Sequence, residues 1–566
     1  MKKKWVLRDK AKELPNLPEY PAFILNLLAL RGFTDAGKAK EYLNIDYIKL
    51  HDPFLFVHME KACDRIWQAI KDNEKIIIYS DYDADAITAL AVMYKALSQL
   101  GAKDLGYYIP DRFTEGYGMN PEAVRKLCED GAKLIITVDC GINAVEEVVT
   151  AKSFGVDVII TDHHELTGEL PQAFAVINPK NPEDQYPFKY LTGVGVAFKV
   201  VQALSRNTQH VSGITMSPGW EKWLLDLVAI GTVADLQPLT DENRIITSFG
   251  LKVLHRTKWP GLKAILKLAG VDGKISDTYT LGFIIAPRIN AAGRIKHADI
   301  AFKLLICEDQ AEAEKLALEL NALNTHRQQL TEQVLSEARD QIQLISDKKV
   351  LLAAGSDWPK GVVGLVAGKL VEEYGRPVLV MDKGELVATG SARSVHNFDI
   401  VAALNSAKEL LTKYGGHTQA AGFTLITENI PALHSKLLEY AETLDEEALG
   451  PIIEIDAEAG SPDLTFETYD LLSKFEPFGY GNHRPKLVTF GFEVMDMRLV
   501  GAVGRHLKLR VRLQDKVLEA IAFNQAFWMQ SLKIGQKVDI VYELSCNEWN
   551  NQRNLELKVI DLKPNG

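Results

Sequence analysis

The chain has 566 residues, a formal net charge of −11, and 47% hydrophobic and 25% charged residues, the composition of a globular protein with roughly three or four domains. No uninterrupted apolar stretch reaches the ~20 residues of a membrane span, and the basic start Met1-Lys2-Lys3-Lys4-Trp5 has no apolar signal core behind it. The cysteines Cys63, Cys128, Cys140, Cys307 and Cys546 are odd in number and scattered, which fits reduced thiols in a cytoplasm and offers no paired thiolates for structural zinc.

Residues 1–70 read as an amino-terminal lead-in that packs on the first domain. Within residues 71–305 three apolar β-like runs each end in polar, ligand-type side chains. KIIIYS at 75–80 precedes Asp81-Tyr82-Asp83-Ala84-Asp85, LIITV at 134–138 precedes Asp139, and VDVIIT at 156–161 precedes Asp162-His163-His164-Glu165. Amphipathic helical stretches lie between them, so the pattern predicts a parallel sheet whose crevice lies beyond the carboxyl ends of its strands. The acids then converge, and carboxylates packed so closely resist ionisation unless cations neutralise them. Oxygen and imidazole donors suit manganese or magnesium. Two ions about 3.5–4 Å apart are what hydrolysis of a phosphodiester or phosphoanhydride needs. A lone Asp after a strand is usually a turn residue or helix cap, and a His pair is usually surface; three clusters at three strand ends point away from coincidence.

Residues 306–346 keep helical spacing without proline and predict a long connecting helix. A second α/β domain is expected over 347–445. Residues 450–566 turn to short alternating segments bounded by Gly and Asn, as in a small β-barrel. There Arg498, Arg505, Lys508, Arg510 and Arg512 join Phe523, Trp528, Tyr542 and Trp549, a mixture that suits single-strand binding as well as it suits a solvated strand face over an aromatic core. The net negative charge does not decide between them, because local clustering of cations governs phosphate contact.

Asp-Tyr-Asp-Ala-Asp at 81–85, Val-Asp-Cys-Gly at 138–141 and Thr-Asp-His-His at 161–164 resemble the DHH phosphoesterase superfamily. Further motifs in order along the chain are similar to the RecJ family of single-stranded-DNA exonucleases. They include Gly231-Thr232-Val233-Ala234-Asp235, Arg288-Ile289-Asn290-Ala291-Ala292-Gly293-Arg294, Gly390-Ser391-Ala392-Arg393-Ser394 and Gly415-Gly416-His417-Thr418-Gln419. Ala86 departs from the pattern, standing where the family usually has glycine; it removes no ligand.

The resemblance implies two α/β domains, DHH and DHH-associated, joined by the long helix, and a carboxyl-terminal OB-fold. It implies a 5′ to 3′ exonuclease that acts on single-stranded DNA with two Mn2+ or Mg2+ ions and releases 5′-mononucleotides in DNA repair and recombination. Asp83, Asp85, Asp139, His163 and Asp235 are the implied ligands, with Asp139 bridging, Asp81 a further ligand or support, Asp162 orienting the histidines and His164 assisting at the scissile phosphate. Arg112, Arg294, Ser391 and Arg393 are implied to grip a terminal phosphate, and Gly416, His417 and Gln419 to contact the strand in a cleft between the domains. A single-strand-binding protein and a RecQ-type helicase are the implied protein partners. Shorter DHH relatives that cleave oligoribonucleotides, cyclic dinucleotides or polyphosphate, and degenerate relatives that only bind DNA, are the alternatives; the OB-like tail speaks against the first and the full ligand set against the second.

Overall fold

The computed structural model describes residues 3–112, 114–206, 217–273, 277–442, 450, 452–549 and 552–565. Two compact units emerge, one of residues 45–330 and 477–483, the other of residues 1–44, 331–476 and 484–566.

The first unit is built on a five-stranded parallel sheet in the order Leu105–Tyr108, Ile76–Ser80, Leu134–Val138, Asp157–Thr161, Ala175–Ile177. Successive side chains on a strand face opposite ways. Ile76, Ile78, Leu134, Ile136 and Ile159 accordingly feed one apolar core, and Ile77, Tyr79, Ile135, Val158 and Ile160 the other. Burial on both faces explains why these strands read as continuous apolar runs. The order in which strands are added reverses between Ile76–Ser80 and its neighbour Leu134–Val138, so the crevice at their carboxyl ends is the switch point where such sheets bind ligands. The helix Ala84–Gln99 that follows Ile76–Ser80 is buried nearly all round, which its run of Ala, Leu, Ile and Val permits.

Lys199 and Glu242 form an ion pair with both side chains fully buried. Glu242 also accepts from the Tyr186 hydroxyl at 2.7 Å and the His51 amide at 3.0 Å, and Lys199 donates to the His51 carbonyl at 2.8 Å. This network fastens residues 45–58 to the sheet unit. Removing one partner leaves an uncompensated buried charge, so Lys199→Met is expected to cost about 3–5 kcal/mol, and Lys199→Met with Glu242→Gln to recover most of it. Thermal unfolding of the single and double variants checks this.

In the second unit, strands Leu411–His417, Ala420–Ile426, Val387–Arg393, Val378–Lys383 and Leu351–Gly355 form a mixed sheet with one parallel pair. The barrel consists of Leu487–Val500, His506–Leu513, Lys516–Ala522, Gln552–Pro564 and Lys537–Trp549, closed where the first strand pairs back on the last. The expected long helix is Gln310–Gln343, 34 residues.

The lead-in expected to pack on the first domain divides. Residues 45–70 do so, whereas residues 1–44 belong with the other unit. Lys4–Leu7 forms a parallel pair with Ile452–Ile455, Trp5 Nε1 donates to Asp561 at 2.7 Å, and the Tyr42 hydroxyl donates to the Phe475 carbonyl. A four-residue strand carries no signal of its partner; the edge it completes lies some 450 residues away in sequence.

Candidate active site

The strand Ile76–Ser80 gives way to a turn and then to a helix capped by Asp83, whose Oδ1 accepts from the amides of Asp85 at 2.9 Å and Ala86 at 3.1 Å. That cap fixes the first helical turn and buries Asp85, which the amides of Gly193 (2.7 Å) and Val194 (2.9 Å) meet from the start of helix Gly193–Arg206. Two amides of a helix terminus hold a carboxylate well. The Thr-Gly-Val-Gly stretch at 192–195 was the one available sequence signal of this cradle. Ala86 is fully buried and takes its place in the turn.

Asp139 sits at φ +60°, the left-handed region that Asp tolerates better than most residues, and its amide donates to the Thr161 carbonyl. The kink turns its side chain across the sheet end. His163 Nε2 lies 3.1 Å from Asp139 Oδ1, 3.7 Å from Asp235 Oδ2 and 3.9 Å from Asp85 Oδ2. The 3.1 Å approach lacks hydrogen-bond geometry, so both atoms are buried without a partner, as is Asp81 Oδ1. Asp235 caps the end of helix Leu225–Ala234 and accepts from Gln237.

Asp162, fully buried, accepts from the amides of His163 (2.7 Å), His164 (3.1 Å) and Ile142 (2.9 Å) and from His164 Nδ1 at 2.7 Å. The bond to Nδ1 leaves His164 Nε2 facing outward, 3.0 Å from the Tyr117 hydroxyl. Tyr117 is a neighbour that carries no sequence signal of its role.

Burial, then the neighbouring carboxylates, pushes Asp85 and Asp139 well above the usual carboxylate range, Asp81 up to about 8 and Asp235 to about 6. Burial and the adjacent His164 pull His163 down to about 3. Burial also pulls on His164, but the hydrogen bond and charge of Asp162 outweigh it and raise that imidazole to about 9. His163 is therefore neutral and presents a lone pair toward Asp85, Asp139 and Asp235, of which the Asp139 Oδ1 atom is buried without a hydrogen-bond partner. Among the described residues, two trios have ligand atoms all within 4.8 Å of one another, Asp139–His163–His164 and Asp85–His163–Asp235. Orphaned buried donors of oxygen and imidazole type fit a hard divalent ion such as Mn2+ or Mg2+.

Known proteins resemble this chain along nearly its whole length. A single-stranded-DNA-specific exonuclease RecJ of Bacillus subtilis is 42% identical over 558 residues, 98% of this chain and 69% of that protein. One from Escherichia coli K12 is 33% identical, with 98% of each chain covered. The chain belongs to the RecJ family. The crystal structure of RecJ in complex with Mn2+ from Thermus thermophilus has a TM-score of 0.82 at 30% identity, covering 99% of this chain and 79% of that one. The DHH family N-terminal domain matches residues 75–232, the DHHA1 domain 347–443 and the RecJ OB domain 455–561.

The other residues singled out by RecJ resemblance fall in both units. In the sheet unit, Arg112 lies over the Tyr82 ring at 5.0 Å, and Arg294 ends helix Ala286–Ile295, whose Asn290 accepts from the Ala84 amide. In the other unit, Arg393 donates to Ser391 Oγ at 2.7 Å and to the Ala392 carbonyl at 2.9 Å, and burial lowers its guanidinium pKa. A Cβ on Gly364 would stand 3.1 Å from both Arg393 Nη2 and Ser391 Oγ, so glycine lets helix Lys360–Tyr374 pass close beside that fork. Strand pairing places His417 opposite Ala420 and Ala420 opposite Arg393, with Gly416 one step along. His417 and Gln419 are exposed, and Gln419 donates to the Val395 carbonyl.

On the barrel the expected basic stripe is partly neutralised. Lys508 pairs with Glu519 and Glu556, and Arg512 with Glu493. Tyr542 is core, its hydroxyl 2.8 Å from Thr489 Oγ1, because its register on the closing strand points it inward. Phe523 is 52% exposed beside His506, and Phe527, absent from the sequence reading, is 62% exposed against Trp528. The Trp549 side chain lies outside the described residues.

Proposed function

We propose that this chain is a metal-dependent, single-stranded-DNA-specific exonuclease that degrades 5′ to 3′, hydrolyses phosphodiesters and releases 5′-mononucleotides in DNA repair and recombination. The observation that carries the reading is the neutral, buried His163 ringed by Asp85, Asp139 and Asp235 at the sheet's switch point. The relatives are named single-stranded-DNA-specific exonucleases.

Asp83, Asp85, Asp139, His163 and Asp235 would hold two Mn2+ or Mg2+ ions, with Asp139 shared and Asp81 beside them. Bound ions of this kind neutralise phosphoryl oxygens and lower the pKa of water. The chain itself fixes direction and proton traffic. Asp162 holds the His164 ring by Nδ1, so that Nε2 can hand a proton to the departing oxygen. On the sheet unit Arg112 and Arg294 are read as contacts to a terminal phosphate. On the other unit Ser391 and Arg393 are read as contacts to a terminal phosphate, supported by the guanidinium fork of Arg393 held against Ser391, with Gly416, His417 and Gln419 as strand contacts. The domain limits 1–70, 71–305, 306–346, 347–445 and 450–566 are kept as the functional divisions, with the structural reassignment of residues 1–44. A single-strand-binding protein and a RecQ-type helicase are read as partners on family grounds. A cytoplasmic site of action fits the five free cysteines. Among the described residues no helix is long and apolar enough to cross a membrane.

The test is incubation of 5′- and 3′-labelled single strands and duplex with Mn2+ or Mg2+, followed by product sizing. Mononucleotides released from the 5′ end of the single strand are expected. Release from the 3′ end, or equal attack on duplex, overturns the reading. A second expectation concerns Arg393→Ala, which should lower the kcat/KM preference for 5′-phosphorylated over 5′-hydroxyl strands by about tenfold or more, since a charge-assisted bond is worth about 1.5–3 kcal/mol. An equal loss on both substrates would show that Arg393 holds the strand without reading its end.

A further inference from the structure

Two large aromatic side chains in the sheet unit are displayed to solvent with no core to fill. Tyr279 is 59% exposed and Phe283 is 70% exposed, and their rings stack at a centroid separation of 4.9 Å with 17° between planes. They ride on the π-helical segment Thr280–Ile285 and the residue before it, and this segment runs straight into helix Ala286–Ile295. Pro287 accounts for the wide turn, since it lacks the amide that an α-helix would aim at the Phe283 carbonyl and its ring crowds that carbonyl. Such turns inside helices recur at functional sites.

The pair is continuous with the metal cluster at both flanks. A Cβ on Gly282 would stand 3.2 Å from Val233, on the helix that ends in Asp235. Farther along the same helical run, Asn290 holds the Ala84 amide at the start of the aspartate turn, and Arg294 follows one turn later. At about 1.5 Å per residue Phe283 lies roughly 10 Å along the axis from Asn290, about three nucleotides at the roughly 3.4 Å rise of stacked bases. Leu236, 69% exposed at φ +58°, follows Asp235 directly. It adds a strained apolar side chain next to a ligand, where strain usually has a use.

We propose that Tyr279 and Phe283 form a base-stacking platform that receives unpaired bases of the strand a few nucleotides from the scissile bond. The platform rests on the single-strand exonuclease reading and deepens it. Stacking on an aromatic ring needs a base freed from its partner strand, so a platform at this position selects single-stranded substrate by chemistry. It is tolerant of sequence because every base has a π-face.

The test pairs the double variant Tyr279→Ala, Phe283→Ala with two 5′-phosphorylated strands, one natural and one abasic at nucleotides 2 to 5. The double variant is expected to lose at least about fivefold in kcat/KM on the natural strand, the low end of one base's stacking, and to show no loss on the abasic strand. Phe283→Trp should retain the wild-type preference for the natural strand. Equal losses on both strands, or none on either, overturn the platform and leave the exposed pair to another occupant, such as a protein. The same comparison by fluorescence anisotropy in the Asp139→Asn background reads binding without cleavage. A wild type that binds both strands but cleaves neither would sink the exonuclease reading, while base-dependent binding that vanishes in the double variant would still uphold the platform.

Discussion

Asp139→Asn is expected to reduce hydrolysis by about 10³-fold or more, equivalent to roughly 4 kcal/mol in the barrier, while the fold persists. Asn is the substitution of choice because Asp139 holds φ +60°, which Asn also tolerates, whereas Ala would add backbone strain. The variant keeps the shape of the side chain and removes the carboxylate charge that lies 3.1 Å from His163 Nε2. Its metal-free form should be more stable than wild type. The Asp139 carboxyl is raised above its unfolded value by burial and by Asp85, so the folded state binds its proton more tightly and ionisation costs stability. That cost is absent below the ordinary carboxylate range near pH 4 and grows as pH rises above it; the advantage of the variant should widen in the same direction. Thermal unfolding in chelator between pH 5 and 8 checks the sign, and near-wild-type cleavage at saturating Mn2+ would overturn the proposal that Asp139 holds the ions.

Gly193→Ala is the second large effect. The amide of Gly193 holds Asp85, while an added Cβ would collide with the carboxylate of Asp139. Relieving the collision moves either the helix start or the aspartate, so one methyl disturbs both acids at once. Activity should fall by about 10²-fold, since displacements near 1 Å carry costs of that order, with about 1–3 kcal/mol of stability lost to overpacking. The measurement is kcat/KM together with Mn2+ affinity; weaker metal binding must accompany the loss, and full activity with normal affinity would contradict the close packing of these three residues.

Much of this site was readable from the chain because its donors follow apolar runs, and a run buried on both faces has few ways to fold other than as an interior parallel strand. Asp83, Asp85, Asp139 and His163 inherit their positions from strand ends and first helical turns. Asp235 was recognisable only by resemblance, since nothing in a helix such as Leu225–Ala234 announces that the residue closing it will meet a distant sheet. The role of Tyr117 beside His164 was opaque for a related reason, because neighbours across a fold leave little local pattern, and the Gly193 amide left only the glycine-rich stretch at 192–195 as a trace. On the barrel, alternation indicated short strands within 450–566 but could not tell which face of the closing strand is inner, and so left Tyr542 unassigned between core and surface. The π turn at Thr280–Ile285 is another case, where Pro287 marks a break without revealing that the helix continues through it.

The pairing of Lys4–Leu7 with Ile452–Ile455 has a consequence in time as well as space. During synthesis at about 5–20 residues per second, the first strand must wait roughly 20–90 s before its partner leaves the ribosome. For that interval it is an open edge carrying Trp5, Val6 and Leu7, the kind of segment that other nascent chains can join. Lys3 and Arg8 flank it and Lys4 opens it with positive charge, as gatekeepers do around unavoidable apolar strands. Domain-by-domain folding from the amino end therefore cannot finish this molecule: its first strand is among the last to be set.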